Sequence, residues 1–240
     1  MSYTANPTSI WPEQIVYEDN HIMIVNKLPS EIVQGDKTGD MPLTEKVKNF
    51  IKVRDSKPGN VFCGLIHRLD RPVSGLVILA KTSKGLSRFN EMFRDNKVEK
   101  SYVAVVKNKP PKTKDTLVHY CLKNEKTNTS KAHIKPVPHA LEAKLDYEVI
   151  DSSDNYSLLK IKLHTGRHHQ IRAQLSAIGC PIKGDLKYGF DRSNKSGFIH
   201  LHSYKVEFQH PIRDEKISVK AWPLIDDPIW NYFKPNLAKL

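Results

Sequence analysis

The sequence predicts an α+β fold, because strand-like and helix-like segments follow one another without the regular alternation of a doubly wound sheet. Short runs rich in β-branched residues, such as 22–25 and 101–106, are typical of buried strands. Apolar residues at helical spacing predict a helix over 43–54. A Ser-Ser-Asp-Asn turn between two strand-like segments in 141–164 indicates a hairpin.

The remaining elements of the first half follow in order. Residues 1–14 contain two prolines and little periodicity, and we interpret them as a tail. The apolar run at 73–80 predicts a core strand. A second amphipathic helix follows it, with Thr82 or Ser83 as its N-cap.

The second half ends with a predicted helix and a predicted strand. Residues 167–178 place apolar side chains on one helix face, and Gly179 then stands where a helix commonly ends. Residues 204–208 alternate like a half-buried strand. No Gly/Ser-rich linker interrupts the chain, so we expect one domain over 15–240.

The charge of the chain favours a polyanionic partner. There are 38 Lys and Arg residues against 26 Asp and Glu residues, which gives a net charge of +12. Such an excess is typical of proteins that bind nucleic acid, although a basic protein without such a partner is the alternative. The segment 107–139 holds eight lysines against two acidic residues. Lysines follow phosphates more than they recognise bases, so we predict RNA contacts at Lys123, Lys126 and Lys131.

Several classes of protein are disfavoured by the sequence. Cys63, Cys121 and Cys180 are odd in number and far apart, which excludes a disulfide framework and favours a reducing cytoplasm. The longest apolar run, 76–80, is far shorter than the roughly 18 residues of a membrane span. No signal peptide is visible at the N-terminus. No glycine-rich phosphate loop occurs, so we expect no nucleotide cofactor.

The segment His67–Gly75 concentrates charge ahead of a predicted core strand. Asp70 has Arg68 before it and Arg71 after it. Guanidinium groups close to a carboxylate favour its ionised form, and an ionised carboxylate can act as a nucleophile or a base. The alternative is a surface ion pair that only fixes a loop.

A second cationic segment lies where a predicted strand turns into a helix. Arg167 and Arg172 bracket the first turns of this helix, with His168 and Gln170 between them. A cationic helix start can bind an anion through side chains and backbone N–H groups. The alternative is a solvated helix end.

The many histidines raise the question of a metal site. Their spacing around His164 and His200 would allow metal ligands, but no cysteine pair or zinc-protease pattern accompanies them. We therefore expect core or RNA-facing histidines and no metal. Tyr102, on the predicted 101–106 strand, is interpreted either as a core residue or as a ring that stacks on a base.

Several ordered segments together resemble the RluA-type family of RNA pseudouridine synthases. The catalytic motif of that family resembles His67–Gly75, its tyrosine motif resembles 100–104, and its arginine motif resembles 165–172. Other segments resemble its opening strand, the loop after the arginine motif, and its final strand: 17–27, 179–189, 201–204 and 208–211. The departures, which concern substrate choice more than chemistry, are Pro72, Val73, His168 and Gln174.

The resemblance implies a long, mainly antiparallel central sheet with flanking helices and a basic cleft. It implies a single catalytic domain without the N-terminal small RNA-binding domain of many members. It also implies isomerisation of specific uridines to pseudouridine in rRNA or tRNA, by base flipping and without a cofactor. Asp70 is then the catalytic carboxylate, Tyr102 the ring packed on uracil, and Arg172 the ion-pair partner of Asp70. Arg68 helps to hold the flipped nucleotide.

Two other functions remain open at this point. An inactive RNA-binding or assembly factor on the same fold would keep the basic cleft without needing Asp70. A metal-dependent hydrolase would use the histidine clusters. The sequence does not determine the oligomeric state, for which a monomer is our expectation.

Overall fold

The computed structural model describes residues 4–240, which divide into two compact units. The first unit contains the chain up to Val98 together with Ser203–Asp226. The second unit contains Glu99–His202 together with Asp227–Leu240. Each unit therefore joins segments that are distant in the sequence.

Strands dominate both units. In chain order they are β1 (Ile15–Glu18), β2 (Ile22–Lys27), β3 (Gly64–Leu65), β4 (Ser74–Ala80), β5 (Glu99–Lys107), β6 (Lys114–Asn124), β7 (Thr129–His133), β8 (Leu141–Ser152), β9 (Tyr156–Leu163), β10 (Leu201–Gln209) and β11 (Lys216–Lys220). The helices are α1 (Leu43–Arg54), α2 (Ser83–Arg94), α3 (Gln170–Ala177) and α4 (Pro228–Leu237).

In the first unit the strand order is β1–β2–β4–β10, with β3 beside β4 and β11 beside β10. The pairs β1–β2, β2–β4, β3–β4 and β10–β11 are antiparallel. β2 and β4 are buried along their whole length, and each contains an apolar run, 22–25 and 76–80, of the kind that predicts burial. One face of this sheet packs against Phe89 of α2, which is fully buried.

Both predicted helices of the first unit are confirmed. α1 has the predicted bounds, and α2 has Thr82 as its N-cap, whose hydroxyl oxygen accepts a hydrogen bond from Gly85 N at 3.1 Å. The predicted tail packs onto this unit through the buried Ile10 and Gln14. Residues 1–3 lie outside the described residues, and the boundaries at 1–14 and 15–240 stay a prediction.

In the second unit the strand order is β5–β9–β8–β6–β7, and all four pairs are antiparallel. The predicted hairpin is present as β8 and β9. α3 packs against β6 and β7, where the buried Gln174 donates to the carbonyl oxygens of Leu117 and Ala143. The predicted α+β class with a mainly antiparallel sheet is confirmed.

α3 begins three residues later than predicted, at Gln170. His169 has a left-handed backbone with φ 50°, so the chain turns once more before the helix starts. The Gln170 side chain stabilises that turn, since its Oε1 accepts from Arg167 N at 2.9 Å and from Thr165 Oγ1 at 2.8 Å. Helix α4, with Asp227 as its N-cap, has no counterpart among the predicted elements.

The lysine-rich segment 107–139 contains a hairpin of β6 and β7. Directly paired residues of antiparallel strands point to the same face. Lys123 is paired with the buried Ser130, so both point towards α3. Lys131 is paired with Leu122 and points to the opposite face, while Lys126 lies in the turn.

Gly75 fixes the approach of β4 to β10. Its φ is +114°, and a Cβ atom at this position would lie 2.3 Å from Ser203 O. No side chain fits such a distance, so two backbones meet where the motif enters the core strand. Among residues 4–240, no helix has the length and apolar character needed to cross a bilayer.

Candidate active site

Asp70 lies in the first unit, on a loop held by its own backbone. The carbonyl oxygen of Asp70 accepts from Val73 N at 3.0 Å. The carbonyl oxygen of Arg71 accepts from Ser30 N at 2.9 Å and from Lys27 Nζ at 3.3 Å. Asp70 itself is half-buried. These bonds fix the carboxylate-bearing segment against β2 and the loop that follows β2.

Lys27 is a buried lysine that contacts this loop. The sequence analysis considered only the arginines beside Asp70 and did not predict Lys27 as a site residue. Its Nζ also donates to the carbonyl oxygens of Leu28 at 3.0 Å and Glu31 at 2.9 Å. Complete burial lowers the pKa of Lys27 to about 7, against the opposing attraction of the Glu31 and Asp70 carboxylates. The available signal in the sequence was a lysine at the end of a strand that begins with the apolar run 22–25.

The two arginines of the motif have partners on the loop 34–40. Arg68 donates to Gln34 Oε1 at 3.2 Å, and Arg71 pairs with Asp40 and donates to Thr38 Oγ1. Both arginines are exposed. The positions of Arg68 and Arg71 close to Asp70 in the sequence did not predict these partners, because side-chain orientations follow no regular repeat in an irregular loop.

In the second unit, Arg172 is buried and paired with Asp185. Its Nε and Nη2 donate to the two carboxylate oxygens at 2.7 and 2.8 Å, and both side chains are nearly fully buried. The Tyr188 ring lies against the guanidinium, with its centroid 4.8 Å from the Arg172 Cζ. Asp185 and Tyr188 fell within the 179–189 resemblance but were not predicted as site residues.

The Tyr188 hydroxyl connects this pair to the β6–β7 hairpin. It accepts a hydrogen bond from Ser130 N at 2.7 Å and lies 2.8 Å from Nδ1 of His169. The Ser130 hydroxyl lies 2.9 Å from Nδ1 of His168. The rings of His168 and His169 stack with centroids 3.8 Å apart.

The other predicted residues of the second unit have different surroundings. Tyr102 is 6% exposed in the middle of β5, opposite Ile161. Arg167 is exposed, and its Nε donates to Glu142 O at 2.8 Å. Gln170 is buried, and its Nε2 donates to Lys144 O at 3.1 Å, so its amide holds the turn before α3. Its predicted contact with RNA stays a prediction.

The structure thus groups Arg68, Asp70 and Arg71 in one unit and the remaining predicted residues in the other. The predicted ion pair between Asp70 and Arg172 stays a prediction. Within the described part of the chain, no group of three or more His, Cys, Asp or Glu side chains is arranged to hold a metal ion. The histidines of the two clusters contact polar groups instead, as His164 does with Asp146.

Residues 21–177 match a family model described as RNA pseudouridylate synthase. This chain belongs to the RNA pseudouridylate synthase family. The predicted family and enzyme class are therefore confirmed, and the matched range includes Asp70, Tyr102 and Arg172.

Relatives of this synthase family extend over nearly the whole chain. The ribosomal large subunit pseudouridine synthase C of Buchnera aphidicola subsp. Baizongia pistaciae (strain Bp) is 31% identical over 96% of this chain and 71% of its own length. The tRNA pseudouridine synthase C of Vibrio parahaemolyticus serotype O3:K6 is 30% identical, over 89% of this chain and 91% of its own length. The chain spans between 58% and 73% of the first five relatives it matches.

A solved structure has the same fold. Human RNA Pseudouridylate Synthase Domain Containing 4 superimposes with a TM-score of 0.76 and 21% identity, covering 94% of this chain and 93% of that one. At this identity the likeness concerns the fold.

The Arg172–Asp185 pair predicts a large cost for an isosteric change. Asp185→Asn leaves a buried guanidinium without the bidentate carboxylate, and we expect the free energy of unfolding to fall by about 3 kcal/mol or more. Denaturant titration measures this. Asp191→Asn, which breaks the exposed pair with Lys107, is the control and costs about 1 kcal/mol or less. An equal decrease in the free energy of unfolding for the two variants would contradict a stabilising role of the buried Arg172–Asp185 pair.

Burial of Lys27 predicts a pH-dependent stability. Between about pH 7 and the ordinary lysine pKa of 10.5, the unfolded chain binds a proton that the folded chain has lost. The wild type should therefore gain stability over Lys27→Met as pH rises through this range, by up to about 1.4 kcal/mol per pH unit. Denaturant titrations across pH measure the difference. A stability difference for Lys27→Met that stays constant across this pH range would refute the shift.

Proposed function

We propose that this chain isomerises specific uridines to pseudouridine in ribosomal or transfer RNA, with Asp70 as the catalytic carboxylate. The observation that carries the proposal is the Asp70 loop, held by buried backbone bonds and Lys27 in a chain of the RNA pseudouridylate synthase family. Relatives named for both ribosomal and transfer RNA support these two substrate classes.

The reaction needs groups for bond exchange and proton movement, and no external reactant. The bond between uracil N1 and ribose C1′ breaks, a bond between C5 and C1′ forms, and one proton leaves C5 while N1 gains one. A carboxylate that acts on the base or the sugar is provided by Asp70. Tyr102 is proposed as the ring that packs on the uracil and, in its phenolate form, as the acceptor of the proton that leaves C5.

Arg172 is proposed as the ion-pair partner that orients Asp70. A guanidinium presents five donors in a planar fork. Asp185 uses the Nε side of that fork, and we propose that a donor on the other side binds Asp70. A carboxylate in a closed pocket without such a partner would tend to take up a proton.

The target base must leave its stack before any of these groups can reach it, at a cost of a few kcal/mol. Arg68 and Arg71 are exposed beside the Asp70 loop, and Arg167 and His168 precede α3. We propose that these side chains bind the RNA around the flipped nucleotide and thereby offset this cost. A monomeric state and a cytoplasmic location are further proposals, the latter favoured by the three separate free thiols.

Asp70→Asn tests the proposed function. We expect pseudouridine formation to be abolished and RNA affinity to stay within a few-fold, because the change removes a reacting group and little volume. Pseudouridine is quantified by nucleoside chromatography after incubation with rRNA and tRNA, and binding is measured in parallel. Asp95→Asn, at the exposed end of α2, serves as the charge-matched control.

An Asn variant that turns over like the wild type, with deamidation excluded, would remove Asp70 from the mechanism. Affinity for RNA without any pseudouridine formation by the wild type, on the RNAs of its own cells, would favour the inactive assembly factor.

The two faces of the β6–β7 hairpin allow a test of RNA contact. Changing Lys123, Lys126 and Lys131 together to Gln should weaken binding and flatten the log–log salt slope by up to about two units, since each phosphate contact contributes about 0.7 on a single strand. We expect Lys123→Gln to contribute more than Lys131→Gln, because Lys123 lies on the face towards α3. Binding of RNA across a salt series measures both. An unchanged slope in the triple variant would assign these lysines to a solvated face.

A further inference from the structure

The environment of Arg172 contains two side chains that constrain its guanidinium in different directions. Asp185 binds it edge-on through two hydrogen bonds of 2.7 and 2.8 Å. A bidentate contact of this kind fixes the orientation of the fork within its own plane. The Tyr188 ring lies against the guanidinium, with its centroid 4.8 Å from Arg172 Cζ, and limits the space into which the group can turn.

Tyr188 is itself held at its far end. Its hydroxyl bonds to Ser130 N at 2.7 Å and lies 2.8 Å from His169 Nδ1. The ring is 7% exposed, and its backbone N–H donates to Asp185 O at 3.1 Å. Asp185 and Tyr188 therefore form one short segment whose side chains share a single target, Arg172.

We propose that Asp185 and Tyr188 are positioning residues of the reaction, which hold the guanidinium of Arg172 in the orientation that binds the catalytic carboxylate. The inference rests on the proposed function, in which Arg172 pairs with Asp70. Neither residue touches the substrate in this scheme, and each acts only through Arg172.

Removal of Asp185 distinguishes a role in positioning Arg172 from a direct effect of the Asp185 charge on Asp70. If Asp185 acted only through its negative charge, its removal would strengthen the influence of Arg172 on Asp70 and lower the pKa of that carboxyl. If Asp185 positions Arg172, its removal lets the fork turn away, and the pKa rises. The two explanations predict shifts of opposite sign. Replacing Tyr188 changes no charge, so any shift it causes reports position.

Other titratable groups surround these residues and must be followed. His168 and His169 precede α3 beside Tyr188, and Lys27 and Glu31 lie near the Asp70 loop. Histidines ordinarily titrate near pH 6.5 and carboxylates near pH 4, so the unshifted acidic limb of the wild type distinguishes the two classes.

The experiment is a pH–rate profile for single-turnover pseudouridine formation at saturating RNA. Arg172→Ala sets the reference, and we expect its acidic limb to move upward by about 1–3 pH units, the range given by loss of a neighbouring opposite charge. Tyr188→Leu should move the limb in the same direction by a smaller amount. Tyr188→Phe keeps the ring against the guanidinium and should restore most of the wild-type profile. Asp185→Asn should also move the limb upward.

Tyr147→Leu is the matched control, because Tyr147 is a buried tyrosine of the same unit whose hydroxyl donates to Lys112 O at 3.2 Å. It should lower stability without moving the limb. RNA affinity should change little in the Tyr188 variants, so that the loss of activity appears in the single-turnover rate constant.

The outcomes are separable. If Arg172→Ala moves the limb while Tyr188→Leu matches the control, the proposed positioning role of Tyr188 is wrong and the role of Arg172 stands. A downward shift for Asp185→Asn would overturn its positioning role in favour of charge. If Arg172→Ala leaves the limb unchanged and only weakens RNA binding, the proposed pairing with Asp70 fails instead. Should Asp185→Asn not fold, the two Tyr188 variants decide the question.

Discussion

A buried cation underlies the proposed catalytic segment in each compact unit. In the first unit, Lys27 binds three carbonyl oxygens, one of which belongs to the residue after Asp70. In the second, Arg172 is enclosed by Asp185 and Tyr188. Burying a charge costs several kcal/mol unless hydrogen bonds and counter-charges compensate it. The loops around both cations are therefore restricted to conformations that supply those partners, which makes them rigid supports for chemistry.

The hairpin of β6 and β7 has a structural role beyond its charge. Ser130, in the middle of its second strand, contacts both Tyr188 and His168. The strand face that carries Lys123 is thus continuous with the residues around Arg172, whereas the face of Lys131 is not. Within the second unit, the hairpin that carries the lysines proposed to contact RNA is therefore hydrogen-bonded to the residues around Arg172, at 2.7 and 2.9 Å.

Much of the fold follows from local patterns. Apolar periodicity predicted α1 and the strands β2, β4 and β5, because burial of a continuous face dominates such segments. The start of α3 was displaced because the turn at His169 depends on contacts that Gln170 makes with Arg167 N and with the distant Lys144 O. The motifs indicated Asp70, Tyr102 and Arg172, but side-chain partners such as Asp185 and Lys27 arise from tertiary packing. Neither pairing has a periodic signature in the sequence.

Gly75 has a consequence for recognising intact members of this family among uncharacterised sequences. The chemistry assigned to the motif needs Asp70, yet the strand that carries it can approach β10 only without a side chain at position 75. A sequence that retains the aspartate but replaces this glycine would keep the charged residues of the motif. It would lose the close backbone contact between β4 and β10. The glycine is therefore a more stringent marker of a correctly folded motif than the charged residues beside it.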